Sequence, residues 1–334
     1  YTTLFRSWII AIIVGGVAGW LASLFMSRDG SMGLVANVVV GEGIDGLFGY
    51  AVRMFVEPGV SVATSLGAYP TFNFHVHGFG GKLVTTPYVN DREDPSSLLD
   101  LARREKARLI YFANPDNPMG SWWDAATVQR MIDAIPDGAL LMLDEAHAFG
   151  VLGAQGRGSV DHLGLPADAV PLRIGTLGKA FGVYGAFAAG PKLLMDVLQQ
   201  TTRTAIYTTA LPAALAETTR HALRLLRADD WRRERLHTLT AKLRSSLQAQ
   251  GWTLMDSATP IQPIHMGSSE RALALSAALA ERGFWVGAIR PPTVPAGTAR
   301  LRLTLSASHD DAALASLLSA MAELAPEFAT EMTT

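Results

Sequence analysis

Short apolar runs that stop abruptly at polar residues, with helical stretches between them, constrain this chain's fold more than any other feature. "VSVATSL" reads as a strand, "ARLIYFAN" (Ala107 to Asn114) as a second and "ALLMLDE" as a third, while "AATVQRMIDAI" carries helical spacing. Strand and helix in alternation predict a mostly parallel sheet with crossover helices, in which ligands gather at the carboxyl ends of the strands. Asn114, Asn117 and Asp144 stand at such ends. Earlier, "GEGIDGLFGYAVRMFVEPG" gives a Gly-containing turn and then a helix, with Ile44, Leu47, Phe48, Ala51, Val52 and Phe55 at helical spacing and Pro58-Gly59 closing it. The amide groups at such a helix start suit a phosphate.

Over 334 residues, a 49% hydrophobic content fills one large core and a smaller one. A net charge of -2 gives no sign of a nucleic-acid partner. The absence of cysteine excludes disulfides, thiolate metal sites and a cysteine nucleophile together; no metal is expected, covalent chemistry falls to Lys, Ser, Thr or a cofactor, and a cytoplasmic location is expected. The uncharged run "WIIAIIVGGVAGWLASLFM" (Trp8 to Met26) is long enough for a membrane-spanning helix, with Gly15 and Gly19 in small-xxx-small spacing. A signal peptide and a buried core helix are the alternatives. Membrane contact through Trp8 to Met26 is therefore one expectation, and extra apolar helices before the sheet are another.

Three resemblances follow from quoted strings. Ser7 to Gly41 resembles the small transglycosylase-associated membrane proteins. Gly41 to Ala146, carrying "NPDNPMG", resembles the histidinol-phosphate aminotransferase group of fold type I enzymes that use pyridoxal 5'-phosphate (PLP). From Asp144 to about residue 325, "DEAHAFGVLGAQGRGSVDHLGL", "GTLGKAFG", "IYTTALP" and "AIRPPTVPAGTARLRLTL" resemble the α-oxoamine synthases, the last block being closest to the branch that makes 8-amino-7-oxononanoate. Short strings fitting both neighbours, "VVVG" and "LDEA", lie at the two joins, and "YTTLFRS" (Tyr1 to Ser7) matches the translated end of a sequencing adapter. A chimera of three parts is thus expected.

These resemblances imply a PLP-dependent transferase of fold type I. A mostly parallel large domain over 41–212 and a smaller α+β domain over 213–334 follow an apolar segment over 1–40. In the smaller domain, one long charged helix is read through "RLLRADDWRRERLHTLTAKLRSSL". The implied reaction condenses L-alanine with a pimeloyl thioester, with loss of CO2, on a homodimer. An aminotransferase is the second reading, opposed by Phe187 where that group has a phosphate-binding arginine, and an inactive or membrane-anchored chimera is the third.

By resemblance Lys179 carries PLP and moves a proton, and the small and apolar residues around it argue against an ordinary surface lysine. Asp144, closing an apolar run, would face the pyridinium; a helix N-cap is its bland alternative. His147 would lie near the ring's 3-oxygen and assist proton transfer. Glu42, Gly43 and Thr176 would meet the phosphate, joined by Thr208 and Thr209 from the partner subunit, although Thr-Thr also suits a strand. Asn117 would bind the 3-oxygen, and Tyr69 would stack on the ring or serve as an ordinary half-buried aromatic. Arg300 would hold the amino-acid carboxylate; Arg302, two residues along the strand, would share its face, lie past the strand's end or pair with surface acids.

Overall fold

The computed structural model describes residues 36–41, 43–207 and 209–329. In chain order the large sheet takes β1 (Ala36–Gly41), β2 (Ser61–Leu66), β3 (Lys82–Pro87), β4 (Leu109–Ala113), β5 (Leu140–Asp144), β6 (Leu172–Thr176) and β7 (Ala186–Pro191). Between them run α1 (Ile44–Phe55), α2 (Pro70–Gly78), α3 (Pro95–Arg104), α4 (Ala125–Asp133) and the short α5 (Ser159–His162); α6 (Lys192–Thr201) and α7 (Arg203–Tyr207) follow. Then come α8 (Ala213–Ala228), α9 (Asp230–Ala249), β8 (Ile261–Gly267), α10 (Ser269–Glu281), β9 (Gly287–Ile289), β10 (Ala299–Thr304) and α11 (Asp311–Phe328).

The seven strands lie in the order β1-β7-β6-β5-β4-β2-β3, and β7 runs antiparallel to both its neighbours. The strands β6, β5, β4, β2 and β3 are parallel, as the apolar runs predict. Every residue of β4 and β6 is buried, because helices cover both faces of the sheet. One core cluster joins Phe48 and Val52 of α1 with Tyr111, Met142 and Ile174 from three adjacent strands. Two helices of the large domain carry side-chain caps at their starts: Asp94 accepts from the Ser97 amide and Asp124 from the Thr127 amide.

The second sheet has the order β8-β10-β9, antiparallel throughout, and packs on α9, α10 and α11 around Leu243, Ile264, Leu275, Leu301 and Met321. The single charged helix read through this region is two helices. Asp229, at φ -100 and ψ 62, breaks the run between α8 and α9, and Arg233 in the first turn of α9 donates to the Leu226 carbonyl at 2.9 Å. The break turns Leu223 and Leu226 of α8 onto Phe149 and Phe181 in the turns after β5 and β6 and onto Phe187 of β7.

Candidate active site

Strand β5 ends at Asp144, and the next residue is Glu145; the extended backbone sends the two adjacent carboxylates to opposite faces. Glu145, fully buried, accepts from Arg173 Nε at 2.5 Å and from Ser159 N and Oγ at 2.6 and 2.8 Å, which clamps the turn after the strand. Asp144 faces the other way. Its Oδ1 accepts from the Ala146 amide at 2.8 Å and its Oδ2 from the Tyr111 hydroxyl at 2.7 Å. Tyr111 is itself fixed, stacked on Phe72 with ring centroids 4.6 Å apart. Burial pushes the Asp144 carboxyl above its usual pKa, opposed by the Lys179 ammonium and the two hydrogen bonds. Asp144 makes an Asx-type turn and caps no helix.

Lys179 sits in the turn joining β6 to β7, which Leu177 closes by hydrogen bonds to Gly185 and Val183 at 2.8 Å each. Its Nζ lies 2.9 Å from His147 Nε2. Desolvation lowers the lysine's pKa, with Asp144 raising it and Arg302 lowering it. Desolvation also drives the His147 pKa well below the ordinary value, reinforced by Lys179 and Arg302. The imidazole is therefore neutral at neutral pH, and its Nε2 accepts from the ammonium.

At the other end of this site stands the first turn of α1. Gly43 is extended backbone with no side-chain cap, and a Cβ added to it would meet nothing within 4 Å, so the space beside that helix start is open. Thr176 lies at the end of β6, its Oγ1 accepting from the Gly178 amide at 3.2 Å. A Cβ on Gly185 would stand 3.1 Å from the Gly41 carbonyl, which shows how closely the turn after Thr176 approaches the end of β1, three residues before α1. Glu42 and Thr208 lie outside the described residues, and Thr209 is exposed.

Tyr69, Asn117, Asp144, His147 and Lys179 line one cavity. Tyr69 precedes α2 and lies 6.3 Å from Phe48, ring to ring. The Asn117 Oδ1 accepts from Arg302 Nη1 at 2.5 Å, and Arg302 shares the wall of a larger, 610 Å³ cleft with Lys179 and His147. Arg300 does not reach this site. Its side chain is wholly buried, donating to the Thr298 carbonyl at 2.9 and 2.6 Å and to the sulfurs of Met119 and Met255 at 2.5 and 3.2 Å. One alternation step along β10 separates a guanidinium sealed between methionines from one that opens on the cavity.

A lysine opposite a buried carboxylate, an aromatic side wall, an amide and an open helix start suit a planar, cationic heteroaromatic ring bearing a phosphate. The family model for aminotransferase class I and II matches residues 21–321. The chain belongs to this family. Among curated relatives, the 8-amino-7-oxononanoate synthase of Stutzerimonas stutzeri (strain A1501) is 58% identical over 231 residues, 69% of this chain and 58% of its own length. That of Methylococcus capsulatus (strain ATCC 33009 / NCIMB 11132 / Bath) is 45% identical over 249 residues, 74% of this chain and 64% of its own length. The chain thus spans between about half and two thirds of such relatives. Serine palmitoyltransferase from Sphingomonas wittichii shares the fold with a TM-score of 0.79 at 22% identity, over 93% of this chain and 75% of its own. The 8-amino-7-oxononanoate synthase of Francisella tularensis gives 0.78 at 21%, over 93% and 86%. The fold is that of fold type I PLP enzymes, as expected.

This aminotransferase class I and II match overturns the three-part chimera. One family spans both joins and begins at residue 21, inside the stretch taken for a separate membrane protein. The apolar residues Ala36 to Gly41 form an edge strand, in register with Pro191 to Ala186, rather than a second membrane helix. Across the other join, β5 and β6 pair in parallel from Met142–Leu172 to Asp144–Ile174. The joins looked like seams because branches of one fold share short strings at equivalent strand ends. The expected membrane contact and membrane association fall with that segment. Trp8 to Met26 lies outside the described residues, and among those described no helix is long and apolar enough to cross a membrane.

Two participants escaped sequence reasoning. Tyr111 is hidden inside an apolar run, where a tyrosine reads as core, and only its stacking on Phe72 and its hydrogen bond to Asp144 on the neighbouring strand reveal the hydroxyl's use. Arg302 was visible as an arginine but could not be ranked above Arg300 from spacing alone.

Proposed function

We propose that this chain binds PLP and condenses L-alanine with a pimeloyl thioester, releasing CO2 and the thiol, to form 8-amino-7-oxononanoate. The observation that carries the reading is the 2.9 Å contact between Lys179 Nζ and a neutral His147, with Asp144 buried alongside, in a chain 58% identical over its match to such a synthase. PLP, when bound, supplies an electron-accepting ring conjugated to the substrate's Cα. Lys179 is the tethering amine and afterwards the base that takes the Cα proton; its lowered pKa favours that exchange. His147 accepts from Lys179 Nζ and holds that nitrogen in place. Asp144 would keep the pyridine nitrogen protonated, and the hydrogen bonds from the Ala146 amide and Tyr111 aim the carboxylate and favour its ionised form against burial.

Tyr69 offers a ring face, Asn117 an amide to the ring's oxygen, and Gly43 with Thr176 the polar groups for the phosphate. Arg302 takes the alanine carboxylate, which places the role first assigned to Arg300 on its neighbour. A C–C bond forms between the alanine Cα and the thioester carbonyl, the C–S bond breaks, the carboxylate leaves as CO2, and Cα regains a proton. Thr209, and Glu42 and Thr208, keep their phosphate roles in this proposal, the two threonines acting across a homodimer.

The test supplies purified protein and PLP with L-alanine and pimeloyl-CoA, and separately with an amino donor and a keto acid. Free thiol, CO2 and the amino ketone in equal amounts are expected from the first mixture. Transamination product alone would overturn the proposal in favour of an aminotransferase.

A further inference from the structure

The 610 Å³ cleft beside Lys179 extends well beyond the residues that the cofactor and alanine require. Its far wall is apolar and comes from the α8–α9 corner: Leu225, Leu226 and Leu236, with Phe181 beneath. Leu225 keeps 43% of its surface exposed although it stands on a cleft wall, an unusual place for a large apolar side chain with nothing covering it. Among the described residues, every formally charged one lining the cleft is a cation, Lys179, Arg302, Arg232 and Arg233, and none is an aspartate or glutamate.

The two arginines of the corner differ. Arg233 is buried and committed to the Leu226 carbonyl and to Asp230, so it holds the corner together. Arg232 is half exposed, donates from Nε to Asp229 at 2.9 Å and lies over the Trp231 ring at 4.5 Å. A guanidinium in the first turn of a 20-residue helix opposes the helix dipole, so helix stability gives no reason for it. Asp229 and Asp230 offset the two charges from outside the cleft wall.

We infer that this cleft seats the acyl thioester, its chain lying against Leu225, Leu226 and Leu236 and an anionic group of the same molecule meeting Arg232. The inference rests on the proposed condensation. Two anions qualify, the far carboxylate of a dicarboxylic acyl chain and a phosphate of the thioester carrier, and both are recognised by the same fork of donors.

Equilibrium titration of the PLP-loaded protein with pimeloyl-CoA, heptanoyl-CoA and the pimeloyl thioester of N-acetylcysteamine distinguishes these sources without turnover. If the acyl carboxylate meets Arg232, R232A weakens pimeloyl-CoA about tenfold relative to heptanoyl-CoA; if a carrier phosphate does, it weakens pimeloyl-CoA about tenfold relative to the short thioester. Arg232→Lys restores part of either loss. Leu236→Trp, with an unchanged circular dichroism spectrum, weakens all three ligands by narrowing the cleft. Equal affinities in wild type and R232A for all three would overturn the inference, as would tight binding to Leu236→Trp. Tight, Arg232-dependent binding without amino ketone from alanine would instead sink the condensation reading alone.

Discussion

Two buried acidic clusters lie close enough to feel each other's charge, and they behave differently. Asp144 is buried beside Lys179, His147 and a cavity; Asp116 and Glu93 are buried beside Tyr88, Ser65 and Arg300. Burial raises the pKa in both places, and that of Asp116 reaches about 7. A perturbed carboxyl therefore does not by itself mark a reactive site. In the first cluster a lysine compensates the carboxylate and the cavity leaves room for a ring. In the second, Tyr88 donates to Asp116 at 2.9 Å, Ser65 donates to Glu93 at 2.8 Å, and Arg300 is held by Thr298 and two methionines. That cluster braces the loop carrying Asn117 against the strand carrying Arg302, and Ser257 adds a bond to the Gly120 carbonyl at 2.9 Å.

The largest separation between the clusters should appear on removing the lysine. Lys179→Ala should lower kcat by about 10³-fold or more, measured as amino ketone formed, with thermal stability nearly unchanged because the side chain opens on a cavity. The paired arginines come next. Arg302→Ala should raise the KM for alanine by about 10- to 100-fold, the loss expected for a charge-assisted pair. Arg300→Ala should instead lower Tm by several degrees, since it empties a wholly buried position and frees two methionines. Equal effects of both on KM would erase the distinction between them.

A smaller effect comes from Asp116. Its folded pKa, near 7, lies above the unfolded value of about 3.9, so the folded state binds more protons between those limits. Stability contributed through this group is therefore greatest below about pH 4 and falls as pH rises to about 7. Asp116→Asn should flatten that slope by on the order of 1–2 kcal/mol, read from urea unfolding at pH 5 and pH 8. Smallest is Tyr111→Phe, which removes one donor to Asp144 Oδ2 and should cost about tenfold in kcat, the net worth of a hydrogen bond to a charged group.

Much of the site was legible before the fold. Asp144 stood out because a carboxylate closing an apolar run needs a partner, and Lys179 because small and apolar residues surround it. The helix from Ile44 followed from spacing alone and begins where expected. Arg300 and Arg302 were not separable, because a strand puts both on one face and only the packing of Met119 and Met255 decides which one opens on the cavity. The α8–α9 break was also hidden: charged residues continue the helical pattern through Asp229, and the turn exists because Arg233 reaches back to Leu226. The apolar Ala36 to Gly41 misled for a related reason, since an edge strand and a membrane helix draw on the same residues.

The account stands on Lys179 being the residue that holds PLP. Borohydride reduction of the PLP-loaded protein, followed by proteolysis and mass spectrometry, reads this directly. A pyridoxyl adduct on Lys179 is predicted, absent from Lys179→Ala; an adduct on Lys82, Lys106, Lys192 or Lys242 in its place, or none on the loaded wild type, would contradict it.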